Sequence, residues 1–399
     1  MSDASGCDVL IAGAGPAGLS LARLLASAGV AVQVVDPLQD LHQAAFSSAA
    51  LPLAAVQHFQ IPAAVQAARF SSWQLFGPSE ESCRVWPASE PLGAVLDFGA
   101  LRQWLAQRAQ AASAELQLGW SVRSWRQNAA GALAVLRGPA GTERQLHCRW
   151  LVDATGQRRA LIGDPLPSDG ELVSGAGVEW LLQLPLEAWQ PWADRLSFML
   201  GSTWVPQGYG WVFPMAAGQL KLGVCRLHDP QRAQPPLHQL LRQLQGRLGL
   251  DQAQVLDRHG GLIRSTIRRR EPHQRGPLLA LGDAVSTGNL LGGEGIRHAM
   301  ASSEVLAPLL LEALAGRPEA LASYPRRLRR RLGWRWSLSG RLARRTWLGL
   351  HGPRGDQRLG RLLQGLEAGS SAADLSALLF DYRFERYGLR SLPYLLGWR

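Results

Sequence analysis

The sequence predicts an α/β fold, α+β overall, in which a βαβ domain carries an inserted antiparallel sheet and a helical C-terminal tail. Three stretches predict it. Residues 8–36 have the pattern of a strand, a glycine-rich turn, a helix and a second strand. Residues 171–227 alternate apolar and polar side chains in short runs, which is typical of an antiparallel sheet. Residues 276–314 add another strand, a second glycine-rich turn and a long helix with apolar spacing of three and four.

The length and composition favour a soluble protein of one or two domains. The 399 residues can bury one large core or two smaller ones, and no uninterrupted apolar run is long enough to span a membrane. The first strand follows the N-terminus without a basic segment, so we expect no signal or transit peptide and a cytoplasmic protein. The cysteines form no CxxC pair, which argues against a metal site and against a disulfide framework. They are Cys7, Cys83, Cys148 and Cys225.

The net charge of +11 comes almost wholly from arginine, because Lys221 is the only lysine among the 42 basic residues. A basic surface favours contact with anionic membranes or other polyanions. Nucleic acid is not an expected partner, because the chain has no recognisable binding motif for it and mixes basic with aromatic residues only in its C-terminal third.

The first glycine-rich turn fits a dinucleotide-binding site of the Rossmann type. Its first glycine permits a tight turn, its second lets the backbone approach a pyrophosphate, and its third lets the helix pack on the strand. The N-terminus of the following helix directs its positive dipole end at that pyrophosphate. The residues concerned are Gly13, Gly15, Pro16, Ala17 and Gly18.

Two acids at predicted strand ends extend this site. Asp36 ends the second strand, where a carboxylate can accept hydrogen bonds from a ribose 2′-hydroxyl and disfavours a 2′-phosphate, so FAD or NAD is expected rather than NADP. A later strand delivers Asp153 to a corner of small residues ending at Gly156, where the backbone can pass close to a dinucleotide. The irregular stretch at 38–91 is unlike a plain NAD dehydrogenase, in which another βα unit should follow.

Three motifs together resemble the two-domain flavoproteins of the p-hydroxybenzoate hydroxylase superfamily. They are GAGPAG at 13–18, DATG at 153–156 and GDA at 282–284, the last followed by a glycine-rich helix start. Within that superfamily, YGWVFPMAAGQLKLGV at 209–224 and GGEGIRHAM at 292–300 are most similar to the geranylgeranyl reductase branch. The resemblance covers residues 8–345.

The resemblance implies FAD as the cofactor. It implies contact of the first turn and Asp36 with the ADP half, and of Asp283 with the ribityl–pyrophosphate part. The isoalloxazine edge is expected at Gly293, Gly295 and Ile296. A helix N-terminus there would stabilise the anionic reduced flavin.

The sequence departs from the family pattern at two places. The family often has an arginine where this chain has Phe98, and Arg102, one turn further along the helix, is a candidate substitute. Asn289 and Leu290 stand where relatives carry Asp-Pro or similar residues.

The predicted FAD-binding domain is discontinuous, covering residues 1–165 and 256–323. Residues 166–255 form the predicted substrate domain, to which part of 66–95 also belongs, and residues 324–399 form a basic helical region. Five apolar side chains are candidates for the substrate pocket, and most such residues in a sheet are simply core. They are Trp180, Phe198, Met199, Trp211 and Phe213.

The C-terminal region mixes arginine with leucine and tryptophan at helical spacing. Such a segment suits the surface of an anionic membrane, which would make the protein peripheral on that membrane. It equally suits an amphipathic helix whose arginine stems cover the core while the charged groups stay in water. The sequence leaves both interpretations open.

The resemblance implies reduction of carbon–carbon double bonds in a hydrophobic, isoprenoid substrate. Glu294 and Tyr209 are the candidates for the group that supplies a proton. No second GxGxxG is present, so NAD(P)H is expected to bind only transiently as the electron donor. A lycopene cyclase-like enzyme, a flavin-dependent aromatic hydroxylase and a non-catalytic flavin- or carotenoid-binding protein remain alternatives.

Overall fold

A computed structural model of the chain describes residues 6–43, 45, 47–79, 82–169, 171–266 and 270–385. Within these residues the chain forms eighteen strands and nine α-helices. The strands are β1 (Gly6–Ala12), β2 (Val32–Asp36), β3 (Ala50–Pro52), β4 (Gln66–Phe70), β5 (Ser72–Phe76), β6 (Cys83–Pro87), β7 (Gly93–Leu96), β8 (Glu115–Leu118), β9 (Ser121–Asn128), β10 (Gly131–Arg137), β11 (Glu143–Asp153), β12 (Leu172–Gln183), β13 (Arg195–Leu200), β14 (Gly208–Pro214), β15 (Gln219–Leu227), β16 (Gln254–Thr266), β17 (Gln274–Arg275) and β18 (Leu278–Ala280). The helices are α1 (Pro16–Ala26), α2 (Leu53–His58), α3 (Phe98–Ala111), α4 (Leu186–Trp189), α5 (Leu237–Arg247), α6 (Ile296–Leu314), α7 (Tyr324–Gly349), α8 (Gly352–Glu367) and α9 (Ala372–Leu379).

The first sheet has the order β17-β18-β11-β1-β2-β8, with the hairpin β9-β10 attached to β11. Its central strands β2, β1, β11 and β18 are parallel, and both faces are covered, which explains their nearly continuous apolar sequences. Ala12 is paired with Asp153, and Asp153 with Ala280. The turns that follow these strands therefore meet at one edge of the sheet.

The second sheet is antiparallel apart from the parallel pair β13 and β5, and has the order β16-β12-β15-β14-β13-β5-β6. It corrects one predicted boundary. β16 pairs with β12 from Leu172 opposite Thr266 to Gln183 opposite Gln254, so the substrate domain extends to Thr266 and does not end at residue 255. A third, small sheet has the order β3-β7-β4. The parallel and antiparallel sheets and the C-terminal helices agree with the predicted fold class.

The helices α7, α8 and α9 pack against the second sheet through their apolar side chains. Buried members of this shared core include Trp73 and Trp211 from the sheet and Ala343, Leu363 and Leu375 from the helices. Many of the arginines between them are exposed. The amphipathic interpretation of this region is therefore the one that residues 324–385 adopt, whereas residues 386–399 lie outside the described part. None of the helices in the described ranges combines the length and apolarity that crossing a membrane requires.

Candidate functional site

A large cavity of about 1650 Å³ is lined by part of the candidate site, namely Pro16, Tyr209, Asp283 and residues 293–296, whereas Gly15, Asp36 and Arg102 do not belong to its wall. It starts at Pro16, the first residue of α1, and passes the loop before α6. From there it follows one face of the second sheet to α7, α8 and α9. The cavity thus links the turns at the edge of the parallel sheet to an apolar chamber.

The first glycine-rich turn has the shape that a bound pyrophosphate needs. A Cβ on Gly13 would lie 2.3 Å from the carbonyl oxygen of Ala154, and one on Gly18 would lie 2.1 Å from that of Gly13. A Cβ on Gly15 would meet no protein atom within 4 Å. Packing within the protein therefore explains the first and third glycines, whereas the second keeps open a space beside the N-terminus of α1, which has no side-chain cap.

Asp36 lies at the end of β2 beside this turn. One carboxylate oxygen accepts a hydrogen bond from the amide of Ala14 at 2.7 Å, and the other from the amide of Leu38 at 2.9 Å. Each oxygen keeps a further lone pair. The geometry suits the predicted ribose contact, which stays a prediction.

Arg102 is buried under the segment that follows β2. It is 6% exposed, donates from Nη2 to the carbonyl oxygen of Gln43, and stacks its guanidinium 5.1 Å from the centre of the Phe98 ring. Its Nε has no hydrogen-bond partner among the described residues. Burial lowers the pKa of Arg102, and Asp36 opposes that shift. An unpaired buried donor beside Asp36 is the kind of group that a nucleotide could satisfy.

The Asp153 side chain lies in the core and not on the cavity wall, and its predicted contact with the cofactor stays a prediction. The side chain is fully buried and accepts four hydrogen bonds. They come from the amide and hydroxyl of Thr155 at 3.0 and 2.6 Å, and from the amides of Leu161 and Ile162 at 2.9 and 2.8 Å. Asp153 therefore shapes the corner after β11, and only the backbone near Gly156, with φ of +68°, is available to a ligand.

Asp283 lies on the cavity wall in a short turn after β18. It accepts a hydrogen bond from the Thr287 hydroxyl at 2.8 Å. The preceding Gly282 has φ of +63°, and a Cβ there would lie 2.8 Å from that of Ala17. The turn is thus packed directly against the start of α1.

Residues 289–295 precede α6, and residues 290–295 line the cavity. This segment is called the flavin loop after the predicted contact of its glycines with the isoalloxazine edge. Gly293 has φ of +64°, and a Cβ on it would lie 2.7 Å from the Tyr209 hydroxyl. Tyr209 donates to the carbonyl oxygen of Gly292 at 3.3 Å, and its ring centre lies 4.9 Å from that of Trp347. Gly295 leaves the N-terminus of α6, which begins at Ile296, without a side-chain cap. The backbone of this loop is therefore open to the cavity.

Glu294 lies in a buried cluster that favours its ionised form, which argues against the prediction that it donates a proton. Burial opposes ionisation, but Arg297 and His298 outweigh it and lower the pKa of Glu294 to about 2. Arg297 binds both carboxylate oxygens, with Nη2 at 2.9 Å from Oε2. The Tyr382 hydroxyl donates to the same Oε2 at 3.1 Å. Arg297 and His298 lie three and four residues from Glu294, so their pairing was open to sequence reasoning, whereas the contact with Tyr382, 88 residues away, was not.

Tyr209 keeps its proton. Burial, followed by the neighbouring Cys225, raises the pKa of its hydroxyl well above the ordinary value. Of the two candidate acids, it is therefore the one that is protonated at neutral pH.

The predicted substrate-lining residues divide between the two faces of the second sheet. Phe198, Trp211 and Phe213 line the cavity. Met199 and Trp180 were predicted to do so and do not, because both lie in the core on the opposite face, against α5. Met199 follows Phe198 directly, and successive side chains of a strand point to opposite faces.

Sequence reasoning missed Lys221. Its ammonium is buried at the domain boundary and donates to the carbonyl oxygens of Ser47 at 2.8 Å, Leu96 at 3.3 Å and Ser48 at 3.4 Å. Burial raises the pKa of the nearby Glu179 and lowers that of Lys221, and each group opposes the shift of the other. Three converging carbonyls match an ammonium and not a planar guanidinium. The sequence feature that could have identified this residue is that Lys221 is the only lysine in a chain that otherwise uses arginine.

A parallel sheet with ligand-accessible turns at one edge, joined to an antiparallel sheet over an apolar cavity, defines a two-domain dinucleotide-binding protein. Residues 6–50 and 94–336 match the FAD binding domain family, and the chain belongs to it. Membership of this family supports FAD as the cofactor, and its contacts with Gly15 and with the flavin loop stay predictions.

The chain is also similar to individual proteins over most of its length. The chain is 26% identical to menaquinone reductase of Mycolicibacterium smegmatis over 84% of its own length and 83% of the relative. It is 25% identical to digeranylgeranylglycerophospholipid reductase of Haloferax volcanii over 77% and 76% of the two chains. The fold matches a geranylgeranyl bacteriochlorophyll reductase-like protein from Thermoplasma acidophilum with a TM-score of 0.80, at 20% identity over 98% and 99% of the chains. The resemblance stated from the sequence motifs is thereby confirmed.

We predict that Glu294→Gln lowers the free energy of unfolding at neutral pH by about 3 kcal/mol, because a carboxylate of strongly lowered pKa stabilises the folded state. That contribution is fully present above the ordinary carboxyl pKa of 4.5 and is lost as the pH falls through about 2. Urea denaturation of both proteins at several pH values measures it. A difference that stays constant down to the lowest pH would contradict the assignment.

We predict that Lys221→Met destabilises the fold by about 3 kcal/mol, because it leaves buried carbonyl oxygens without a donor and removes the positive charge near the buried Glu179. The double variant Lys221→Met with Glu179→Gln should recover part of that loss, since no unpaired charge remains. Lys221→Arg should not behave like the wild type. Arg195→Met, which removes an exposed ion pair with Asp194, is the control and should change stability by about 0.5 kcal/mol. Equal stabilities of the single and double variants would count against a buried pair.

Proposed function

We propose that this protein is an FAD-dependent oxidoreductase that reduces carbon–carbon double bonds in a hydrophobic, isoprenoid substrate. The observation that carries this proposal is the continuity of the cavity, which leads from the flavin loop into an apolar chamber. The names of two relatives, a menaquinone reductase and a digeranylgeranylglycerophospholipid reductase, support the same substrate class.

The chamber has the chemistry of a lipid site. Its sheet wall presents Phe198, Trp211 and Phe213, and the C-terminal helices add leucines from the other side. Burying apolar surface against such walls stabilises a bound chain by about 25 cal/mol per Å². A long unsaturated chain can therefore lie along the sheet with one of its double bonds beside the flavin loop.

Reduction of a double bond requires a hydride and a proton, and reduced FAD, when bound, supplies the hydride. Tyr209 is the proposed source of the proton. Its hydroxyl lies at the flavin loop, on Gly292, and it is protonated at neutral pH. The Tyr209 side chain is itself buried and packs against the Trp347 ring.

NAD(P)H is the proposed electron donor. The sequence contains one GxGxxG turn, and the space beside it is the one assigned to FAD. A nicotinamide cofactor would therefore bind transiently.

The assay for this function starts with the purified protein and FAD, under anaerobic conditions. NADPH should bleach the flavin without any substrate present, and a geranylgeranyl lipid should then reoxidise it and gain two hydrogens per reduced bond, measured by mass spectrometry. Bleaching that requires a phenol would instead favour a hydroxylase. A protein that cannot take up FAD would refute the proposal.

We predict that Tyr209→Phe slows reoxidation of the reduced flavin by the lipid about 100-fold or more, since a general acid contributes on that scale. The variant should bind FAD like the wild type. Tyr324→Phe removes a buried hydroxyl in the other core and serves as the control. Unchanged reoxidation by the Tyr209 variant would exclude it as the acid.

We also propose that the arginine-rich helices bind an anionic membrane surface at the cavity mouth. Three exposed arginines, Arg345, Arg358 and Arg361, belong to the cavity lining on α7 and α8. In the described part of the chain, no carboxylate lies within ion-pair distance of any of them. A lipid substrate could then enter the chamber directly from the bilayer.

We predict that replacing these three arginines by glutamine weakens binding to vesicles of anionic phospholipid about 100-fold, because each basic group contributes about 1 kcal/mol near such a surface. Sedimentation with anionic and with zwitterionic vesicles measures it, and added salt should weaken wild-type binding. Arg126→Gln with Arg137→Gln, on the hairpin β9-β10, is the control. Equal binding to both kinds of vesicle would contradict the proposal.

A further inference from the structure

Asn289 is the first residue of the flavin loop, and its side chain has specific partners in the C-terminal helical region. The side chain is fully buried. Its Nδ2 donates to the hydroxyl of Ser339 at 2.5 Å and to the carbonyl oxygen of Trp336 at 3.4 Å, both on α7. Its Oδ1 accepts from the amide of Leu291 at 2.9 Å. The carboxamide thus joins the flavin loop to the C-terminal helical region.

Other contacts attach the same loop to the same region. The indole Nε1 of Trp347, also on α7, donates to the carbonyl oxygen of Leu290 at 3.1 Å. The Tyr382 hydroxyl reaches Glu294, and the amide of Asn289 closes the loop by donating to the carbonyl oxygen of Glu294 at 2.8 Å. Both ends of the loop are therefore held from the C-terminal side.

The loop needs such anchors because of its composition. Three of its seven residues are glycines, at 292, 293 and 295, and ordering the backbone costs about 1 to 2 kcal/mol per residue. Glycines are useful here because they let the backbone approach a flat ligand, but they contribute no side chains to hold the loop. The position of the loop therefore depends on the contacts of its non-glycine residues with the C-terminal helical region. Among these residues, Asn289 is fully buried.

We propose that Asn289 is a positioning residue that fixes the flavin loop to α7, so that the C-terminal helical region forms part of the FAD site. An uncharged amide can donate to the Trp336 carbonyl while accepting from the Leu291 amide, which an ionised carboxylate cannot do. An ionised aspartate at this position would oppose that carbonyl with a buried charge. The inference rests on the FAD site and is independent of the substrate proposed above.

The test is Asn289→Asp, with FAD affinity measured by flavin fluorescence titration of the apoprotein. At about pH 8 affinity should fall about 30-fold relative to wild type, because a buried donor is lost and an acceptor is left unpaired. At about pH 6 affinity should recover toward wild type, because burial raises the pKa of the new carboxyl and its protonated form can donate again. The ratio of variant to wild type at each pH removes any pH dependence common to both.

Two further variants keep the test decisive. Ser339→Ala removes one partner without adding a charge, and should weaken FAD binding about fivefold at both pH values. Asn128→Asp makes the same chemical change in the only other asparagine of the chain, at the turn between β9 and β10, and should leave FAD affinity unchanged. Wild-type affinity in Asn289→Asp at the higher pH would overturn the proposal, as would a loss that is the same at both pH values.

Discussion

Parallel pairing of three strands is the constraint on which the rest of the structure depends. Ala12, Asp153 and Ala280 are neighbours in the sheet although they lie far apart in sequence, and each precedes a tight turn. Because parallel strands end at a common edge, turns from three distant segments form one surface. The long helix α6 and the flavin loop are placed by that edge, and the second sheet and its helices then enclose the remaining side of the cavity.

The sequence predicted the features whose cause is local. The glycines at 13 and 18 pack within their own turn or against its neighbour, so their spacing alone indicates the geometry. Phe198 and Met199 show the opposite case, since deciding which of them faces the cavity requires the register of the strand. Lys221 shows another, because the carbonyl oxygens of Ser47 and Leu96 that hold its ammonium lie 174 and 125 residues away in sequence. The Arg297 partner of Glu294 lies only three residues away, and only the contact of Glu294 with Tyr382 is distant in sequence.

The C-terminal region illustrates how a composition can suit two environments at once. Its leucines and tryptophans pack on the second sheet and roof the cavity, while arginines on the same helices face outward. The apolar side of the amphipathic pattern is therefore buried in the core. The same pattern leaves basic groups at the opening of an apolar chamber, where a lipid substrate and an anionic surface would be encountered together.

The break in α7 has a mechanical consequence. At Gly333 the backbone leaves helical geometry, with φ of +85°. The arm before it contributes Leu328 to the core of the parallel sheet, whereas the arm after it contributes Trp347 to the core of the antiparallel sheet. The residues that hold Asn289 also belong to the second arm. The break at Gly333 thus divides α7 into two arms that pack on different domains. The arm after Gly333 contributes to the wall of the cavity and also holds the flavin loop.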